Sequence, residues 1–177
     1  MIFLDLSNAF DRVPHDKLLE KLSAIGITGD YLIQIKNTLT GRKQFINLKD
    51  ISSIPKSINS RVAQGGVLSP LEYNIYVSDL PSVLKCNNFE FADDTLLIKI
   101  IRNISDINSL QNDINNVEQY CEANELMLNV QKTKHLRVGL KDCNFPNYKI
   151  FNESIETVNS HKHLGVTYDA KMSFNNH

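Results

Sequence analysis

Three carboxylates at the ends of apolar segments are the residues of this chain best suited to metal chemistry. Asp93 and Asp94 lie between two apolar, strand-like segments, residues 89–92 and 96–101, and this pattern predicts a tight β-hairpin with acid at its tip. Asp5 ends another apolar segment, residues 2–6. Acidic residues at turns are often only turn formers, because Asp bonds to its own backbone there. The second carboxylate in the same setting favours a chemical role.

The spacing expected between these strands suits a pair of metal ions. Adjacent strands lie roughly 5 Å apart, and two-metal sites hold their ions about 3.5–4 Å apart, so Asp5 and Asp93 can bracket such a pair. Hard oxygen ligands suit Mg²⁺, which takes further ligands from water and substrate phosphates. Asp94 is expected to be the weaker ligand, since neighbouring side chains of a strand point to opposite faces.

Composition limits the classes of protein that fit. The 177 residues are 42% hydrophobic, which is enough for one domain with a real core. No segment approaches the roughly 18 apolar residues of a membrane helix, and residues 1–4 do not resemble a signal peptide. Cys86, Cys121 and Cys143 share no zinc-like spacing and are expected to be reduced thiols of an intracellular protein. The net charge of −1 means that a nucleic-acid partner would need a local basic patch.

Four segments have the periodicity of helices. They cover residues 14–26, residues from about 28 or 30 to 40, residues 69–80 and a long segment that opens at Ser105. At the start of the third, Ser69 and Glu72 fit a capping box. The residues expected to face inward in the second and fourth helices are Tyr31, Leu32, Ile35 and Leu39, and Ile107, Leu110, Ile114, Val117 and Cys121.

Strand-like segments alternate with these helices. They are residues 44–48, the two arms of the hairpin around Asp93, residues 135–140 and a second short hairpin near residues 163–166. Strands and helices in this mixed order predict an α+β fold, in which helices cover one face of an antiparallel sheet.

Five segments, in this order, resemble the sequence motifs of reverse transcriptases. They are residues 3–15 (FLDLSNAFDRVPH), 62–70 (VAQGGVLSP), 91–94 (FADD), 128–133 (LNVQKT) and 163–166 (HLGV). The first four resemble motifs of the polymerase palm, and the last resembles the hairpin called the primer grip. The amino-acid sequences of the motifs are similar to those of non-LTR retrotransposons, the jockey-like and related elements. The resemblance therefore implies the palm of an RNA-directed DNA polymerase over nearly the whole chain.

The resemblance implies a two-metal nucleotidyl transfer. Asp5, Asp93 and Asp94 would be the catalytic acids and the ligands of two Mg²⁺ ions, for which Mn²⁺ can substitute. Such ions activate the primer 3′-hydroxyl and neutralise charge on the departing pyrophosphate. Lys132 resembles the family lysine proposed to protonate that pyrophosphate, and an exposed loop lysine is the alternative. The implied partners are deoxynucleoside triphosphates, an RNA template and a DNA primer.

A further set of residues is implied to bind the nucleotide. Phe10 is expected to close against the ribose 2′ position, although composition alone favours a core phenylalanine. Asn8, where the family often has lysine, and Ala9 lie where backbone amides would face the triphosphate. Without the resemblance, residues 64–65 are equally well explained as a loop that needs a positive φ. The full set is Leu6, Asn8, Ala9, Phe10, Gln64 and Gly65.

Contacts with template and primer are implied for Arg42 and Lys43 and for the primer-grip residues His163, Leu164 and Gly165. Basic side chains there can meet phosphates. The alternative is that each of these basic residues is simply an exposed charge, unless the structure brings them together.

The implied domain organisation is a palm over residues 1–170, with the primer-grip hairpin near residues 148–168. Residues 171–177 would begin a truncated connection to the thumb. The fingers before Met1 and the thumb after about residue 170 are expected to be missing, which predicts little or no polymerase activity for the isolated chain. The implied location is the nucleus or the cytoplasm, in a retrotransposon ribonucleoprotein without a membrane.

Two other functions fit parts of the sequence. A palm remnant kept only as a binding or structural module is mildly favoured by Ala63, Gly66 and Glu72, which depart from the family pattern. Another two-metal enzyme on a palm-like sheet, such as a nucleotide cyclase, would leave the loop at residues 64–65 and the hairpin at residues 163–165 without a purpose. The presence of Asp5, Asp93 and Asp94 argues against a remnant that has long been free to lose its catalytic residues.

Overall fold

The acidic segments belong to a sheet that the chain builds from distant parts of the sequence. The computed structural model describes residues 1–49, 51–62, 66–139 and 147–173. Its helices are α1 (His15–Ala24), α2 (Gly29–Leu39), α3 (Ser69–Val77) and α4 (Ile104–Ala123). Its strands are β1 (Ile2–Asp5), β2 (Lys43–Gln44), β3 (Asn47–Leu48), β4 (Ile51–Ser52), β5 (Lys56–Ser57), β6 (Asn87–Phe91), β7 (Asp94–Ile98), β8 (Lys134–Leu136), β9 (Lys149–Ile150), β10 (Glu153–Ser154), β11 (Glu156–Val158), β12 (Ser160–His163) and β13 (Val166–Asp169).

The chain divides into two units. The first combines residues 1–7 with residues 80–177, and the second is residues 8–79. The first unit contains a five-stranded sheet in the order β11-β8-β1-β7-β6. Its pairs are antiparallel except for β11 and β8, which run parallel. Short hairpins β9–β10 and β12–β13 complete this unit.

Both faces of the sheet are covered at its centre. On one face Ile2, Leu4 and Leu97 are at most 3% exposed. On the other face Phe3 and Leu96 pack with Leu136, against partly buried neighbours that include Tyr168. Because side chains alternate between faces along a strand, the face that carries Phe3 also carries Asp5. The sheet therefore presents that carboxylate at the end of a strand that is fixed by packing on both sides.

The long helix α4 confirms the predicted buried stripe. Ile107, Leu110, Ile114, Val117 and Cys121 are all at most 5% exposed. The helix begins one residue before the predicted Ser105, and its capping box, formed by Asn103 and Asp106, was not predicted from the sequence. Asp106 Oδ2 accepts the Asn103 N–H, and Asn103 Oδ1 accepts the Asp106 N–H. These bonds satisfy donors that helix geometry leaves free.

In the second unit, α1 packs against α3. The buried side chains Leu18 and Leu22 lie on α1, and Tyr73 and Tyr76 lie on α3. Lys21 ties the two helices, since its Nζ donates to the Tyr76 carbonyl at 2.5 Å and pairs with Asp79 at 2.7 Å. The second unit is thus organised around an apolar helix–helix contact with an ion pair at its edge.

The inward face predicted for α2 is confirmed at Leu39 and wrong at Tyr31. Leu39 is buried, but Tyr31 is 76% exposed and Leu32 and Ile35 are only partly covered. Periodicity identifies residues that share a face of a helix but not whether another element covers that face. The predicted strand at residues 44–48 is likewise replaced by β2 and β3, which are two residues each and pair with different partners.

The capping box predicted at Ser69 is also wrong. Leu68 occupies the N-cap position of α3, and no side chain there makes a capping hydrogen bond. Ser69 is already the first helical residue. Glu72 is 7% exposed, and burial raises the pKa of its carboxyl, an effect that the Arg42 charge opposes. The glutamate therefore lies inside the second unit instead of capping a helix at the surface.

The cysteines behave as structural thiols where they are described. Cys86 and Cys121 are free and buried. The pKa of each thiol is raised to about 12, and burial is the main cause. Cys143 lies outside the described residues. No helix in the described part of the chain has the length and apolar character needed to cross a bilayer.

Candidate metal centre

Asp5 and Asp94 lie directly opposite each other on adjacent strands. The register of β1 and β7 pairs Ile2 with Leu97 and continues to the pair Asp5 and Asp94. Residues directly opposite in an antiparallel pair project to the same face. This register removes the geometric reason for ranking Asp94 below Asp93, because Asp94 shares the face of Asp5.

The backbone of Asp5 shows how close these two carboxylates can come. Its N–H donates to Thr133 Oγ1 at 3.3 Å, and its carbonyl accepts the Asn129 N–H at 2.9 Å. Both groups therefore point away from β7, so Asp5 and Asp94 form a non-hydrogen-bonded pair. Such pairs have Cα atoms about 4.5 Å apart, closer than the hydrogen-bonded kind.

Asp93 lies in the turn that joins β6 to β7. Phe91 pairs with Asp94, so the turn consists of Ala92 and Asp93 alone, as the predicted tight hairpin required. Ala92 has a φ of 53°, in the left-handed region that residues with a Cβ seldom adopt. Backbone strain of this kind is concentrated at functional sites. The strained turn places Asp93 beside the pair Asp5 and Asp94.

The surroundings of the Asp5 carboxylate would be stabilised by a further positive charge. Loss of solvent contact is the main cause that raises the pKa of the Asp5 carboxyl, and the charges of Asp93 and Asp94 raise it further. The Lys132 ammonium opposes these effects, but its Nζ is 4.0 Å from Asp5 Oδ2 and its side chain is 70% exposed. Asp5 Oδ2 is itself covered and makes no hydrogen bond.

This donor set fits Mg²⁺ only with help from a substrate. In the described residues, no group of three His, Cys, Asp or Glu side chains is arranged to hold a metal ion by itself. Mg²⁺ is usually held by one or two carboxylates together with waters and substrate phosphates, and not by an all-protein cage. A covered carboxylate oxygen without a hydrogen bond, next to two further carboxylates, is suited to that arrangement.

A cavity of about 390 Å³ adjoins the acids in the first unit. Asp5 and Asp94 line one part of it, three apolar residues (Phe3, Leu4 and Leu164) also contribute, and the remaining lining residues are basic or polar. These other residues include Gln131, Lys132, Lys134, His161, Lys162 and His163. A ligand there would meet carboxylates and cations together, as a metal-bound phosphate requires.

The predicted primer-grip residues form the hairpin β12–β13. Leu164 and Gly165 make its two-residue turn, with φ values of 49° and 83°, and glycine adopts the second without steric cost. His163 is only 9% exposed, and its ring centroid lies 5.2 Å from that of Phe3. His163 thus packs on the sheet, whereas Leu164 is 52% exposed. Contact of this hairpin with nucleic acid stays a prediction.

The residues predicted to bind the nucleotide belong to different units. Leu6 is buried in the first unit and bridges to Leu128. In the second unit Asn8 has a left-handed φ of 51°, Ala9 is buried, and the Phe10 ring stacks on Tyr73 with centroids 4.5 Å apart. The predicted residues Gln64 and Gly65 lie outside the described residues.

The two basic residues of the second unit differ in their surroundings. Arg42 donates to the carbonyls of Leu39 and Arg61, and its Nη2 lies 3.4 Å from His15 Nε2. Lys43 is exposed on β2. The structure therefore gives Arg42 internal partners that the sequence did not indicate, and binding of phosphate by either residue stays a prediction.

Sequence reasoning missed Thr133, Asn129 and His161 as parts of this region. Thr133 and Asn129 belong to the motif at residues 128–133, and their contacts with Asp5 cross more than 120 positions of the chain. The ring centroid of His161 lies 4.3 Å from that of Phe3. The pKa of His161 is lowered chiefly by burial and also by His163 and Lys134, while Asp94 opposes the change.

A mainly antiparallel sheet that presents one acid at the end of its central strand and two more at an adjoining hairpin is typical of the polymerase palm fold. The structure is similar to one solved as apo telomerase from Candida Tropicalis, truncated from its C-terminal domain. The TM-score is 0.64 at 15% identity, and the match covers 98% of this chain and 34% of that chain. This likeness confirms the predicted α+β palm fold.

The sequence matches the family described as reverse transcriptase (RNA-dependent DNA polymerase) over residues 1–168, and the chain belongs to this family. It is 28% identical over 184 residues to the RNA-directed DNA polymerase from mobile element jockey of Drosophila melanogaster. It is also 28% identical over 187 residues to the probable RNA-directed DNA polymerase from transposon BS of the same species. Each match covers 99% of this chain and 20% of the relative, so the chain spans about a fifth of their length. The predicted resemblance to jockey-like elements is confirmed.

Proposed function

We propose that this chain carries the nucleotidyl-transfer centre of an RNA-directed DNA polymerase of a non-LTR retrotransposon. The observation that carries the proposal is the pairing of Asp5 with Asp94 on one face of the sheet, with Asp93 in the adjoining turn. Membership of the reverse transcriptase family supports the same reaction. The substrates would be deoxynucleoside triphosphates, an RNA template and a DNA primer, in an intracellular ribonucleoprotein.

In this proposal Asp5, Asp93 and Asp94 hold two Mg²⁺ ions, with Mn²⁺ as a substitute. When bound, the ions supply Lewis-acid activation and charge neutralisation. Asp5 is suited to cation binding because its covered Oδ2 makes no hydrogen bond and neighbouring carboxylates oppose its ionisation. Lys132 would be the proton donor to the departing pyrophosphate, and the distance of 4.0 Å from its Nζ to Asp5 Oδ2 supports this role.

The metal dependence of nucleotide binding tests this proposal. Adding dTTP should shift the amide resonances of Asp5 and Asp94 when Mg²⁺ is present, because the phosphates then share cations with the carboxylates. The shifts should vanish when EDTA removes the metal and in an Asp5→Asn variant. An Asp30→Asn variant, altered in the first turn of α2, should respond like the unaltered chain.

The opposite result would favour a different function. If dTTP shifts the same resonances equally with and without metal, or in Asp5→Asn, the acids are not acting through cations. The reading as a palm-derived binding or structural module would then explain the chain better. Primer extension by the isolated chain is expected to be weak or absent, and robust synthesis on an RNA template would contradict that expectation.

Phe10→Val is expected to weaken discrimination between deoxyribose and ribose. The ring of Phe10 is half-buried and held against Tyr73, so it is rigid enough to exclude a 2′-hydroxyl by contact. The smaller valine should lower the ratio of dATP to ATP affinity by about tenfold, the lower end of the discrimination that an apolar pocket achieves between substrates that differ by one small group. Affinities measured by equilibrium dialysis with Mg²⁺ present test this.

The matched control for Phe10 is Phe45→Val in the same unit, where the phenylalanine is 54% exposed. It should leave the dATP to ATP ratio unchanged. An unchanged ratio in Phe10→Val would instead assign the ring to the core of the second unit alone.

A further inference from the structure

The side of β1 that faces away from β7 changes its partner just before Asp5. Nearer the start of the strand, β8 supplies the pairing, through Ile2 with His135 and Phe3 with Lys134. Beyond that point the loop of residues 127–133 takes over. Leu6 bridges to Leu128, and the Ser7 N–H donates to the Met127 carbonyl at 2.7 Å. The end of β1 that carries the acid is therefore held by a loop.

Two residues of this loop make both backbone contacts of Asp5. Thr133 Oγ1 accepts the Asp5 N–H at 3.3 Å, and the Asn129 N–H donates to the Asp5 carbonyl at 2.9 Å. Thr133 is fully buried, and its own N–H donates to the Asn129 carbonyl at 2.9 Å. The two residues thus form a closed set of hydrogen bonds around the backbone of Asp5.

The same loop sets the position of the nearest cation. Asn129 Oδ1 accepts the Lys132 N–H at 3.2 Å, which fixes the backbone that carries the lysine. The Lys132 Nζ lies 4.0 Å from Asp5 Oδ2. One short loop therefore controls both the acid and the ammonium group beside it.

We propose that Thr133 and Asn129 are positioning residues, which fix the Asp5 carboxylate for metal binding and hold Lys132 next to it. The proposal rests on the metal centre of the proposed function and adds the parts that orient it. Functional side chains must be held to within roughly 0.5 Å by their supporting residues. Loss of a supporting hydrogen bond around metal ligands typically lowers metal affinity by about 10–100-fold.

Thr133→Val tests the proposal, because valine keeps the shape of threonine and removes the acceptor for the Asp5 N–H. Binding of Mn²⁺, followed by the broadening of amide resonances near Asp93, should weaken by about tenfold. Amide hydrogen exchange at Asp5 should become faster. Thr133→Ser, which restores the hydroxyl, should recover most of the affinity.

Two further variants separate positioning from general stability. Thr157→Val removes a hydroxyl that lies 3.0 Å from His135 Nδ1 in the same sheet, and it should leave the Mn²⁺ affinity unchanged. Asn129→Ala alters a half-buried side chain, keeps the backbone donor to Asp5 and loosens the loop. It should weaken Mn²⁺ binding by less than the roughly tenfold loss expected for Thr133→Val, and it tests the proposal even if Thr133→Val does not fold.

The outcomes distinguish this inference from the proposed function. Wild-type affinity in both Thr133→Val and Asn129→Ala would overturn the positioning role and leave the metal centre intact. An equal loss in Thr157→Val would also overturn it, since the effect would then follow general stability. If the unaltered chain shows no Mn²⁺ broadening near Asp93, the proposed metal centre is itself contradicted, and the positioning role is contradicted with it.

Discussion

Asp113→Ala is expected to lower the free energy of unfolding by about 3 kcal/mol, because it leaves one buried and one partly buried backbone donor without an acceptor. Asp113 lies on α4 and is 1% exposed. Its two carboxylate oxygens accept the N–H groups of Lys85 and Cys86 at 2.9 and 3.1 Å. Lys99 Nζ lies 4.0 Å from Asp113 Oδ2. The carboxylate thereby anchors the segment that leads into β6 and the acidic hairpin.

Urea unfolding of the Asp113→Ala variant measures this loss, and Asp106→Ala provides a matched control. Asp106 also accepts two backbone N–H groups, those of Arg102 and Asn103, but at the exposed start of α4. Loss of such a cap costs about 1 kcal/mol. If the two variants lose the same stability, burial of the Asp113 carboxylate does not matter as we infer.

Acid should destabilise the first unit through His135. Burial is the main cause that lowers the pKa of His135 to about 4, with smaller effects from the N-terminal ammonium and Arg137. The folded protein therefore favours the neutral ring, and its stabilising contribution is fully present above the ordinary pKa of about 6.5. As the pH falls from 6.5 to 4, the free energy of unfolding should decrease by about 3 kcal/mol.

Urea unfolding at several pH values, compared with a His135→Leu variant, checks this dependence. His135 is 5% exposed, with Nδ1 3.0 Å from Thr157 Oγ1 and its ring edge-on to Tyr148. The variant should lose most of the acid sensitivity, whereas His161→Gln, at a partly exposed position, should lose little of it. The same acid sensitivity in His135→Leu would contradict the assignment.

The acidic hairpin and α4 could be predicted because their signals are local. Alternation around Asp93 and Asp94 predicts two strands and a tight turn, and a three- and four-residue repeat predicts the buried stripe of α4. The register between β1 and β7 is not local. It pairs Asp5 with Asp94, although alternation along a single strand had favoured Asp93 over Asp94.

The contacts that hold the site were beyond prediction for the same physical reason. The threonine that accepts the Asp5 N–H is 128 positions away in the chain, and no periodic pattern indicates that pairing. The exposure of Tyr31 depends on what covers α2, which periodicity does not reveal. Ser69 and Glu72 satisfied the spacing of a capping box, yet α3 begins at Ser69 itself.

A Mn²⁺ titration followed by amide NMR tests the central claim most directly. The paramagnetic ion should first broaden the resonances of Asp5, Asp93 and Asp94, and Asp93→Asn should remove this broadening while Asp30→Asn leaves it unchanged. Added Mg²⁺ should compete with Mn²⁺ and restore the signals. Broadening that is spread over the surface acids, or that persists unchanged in Asp93→Asn, would contradict the assignment of these three carboxylates as a metal centre.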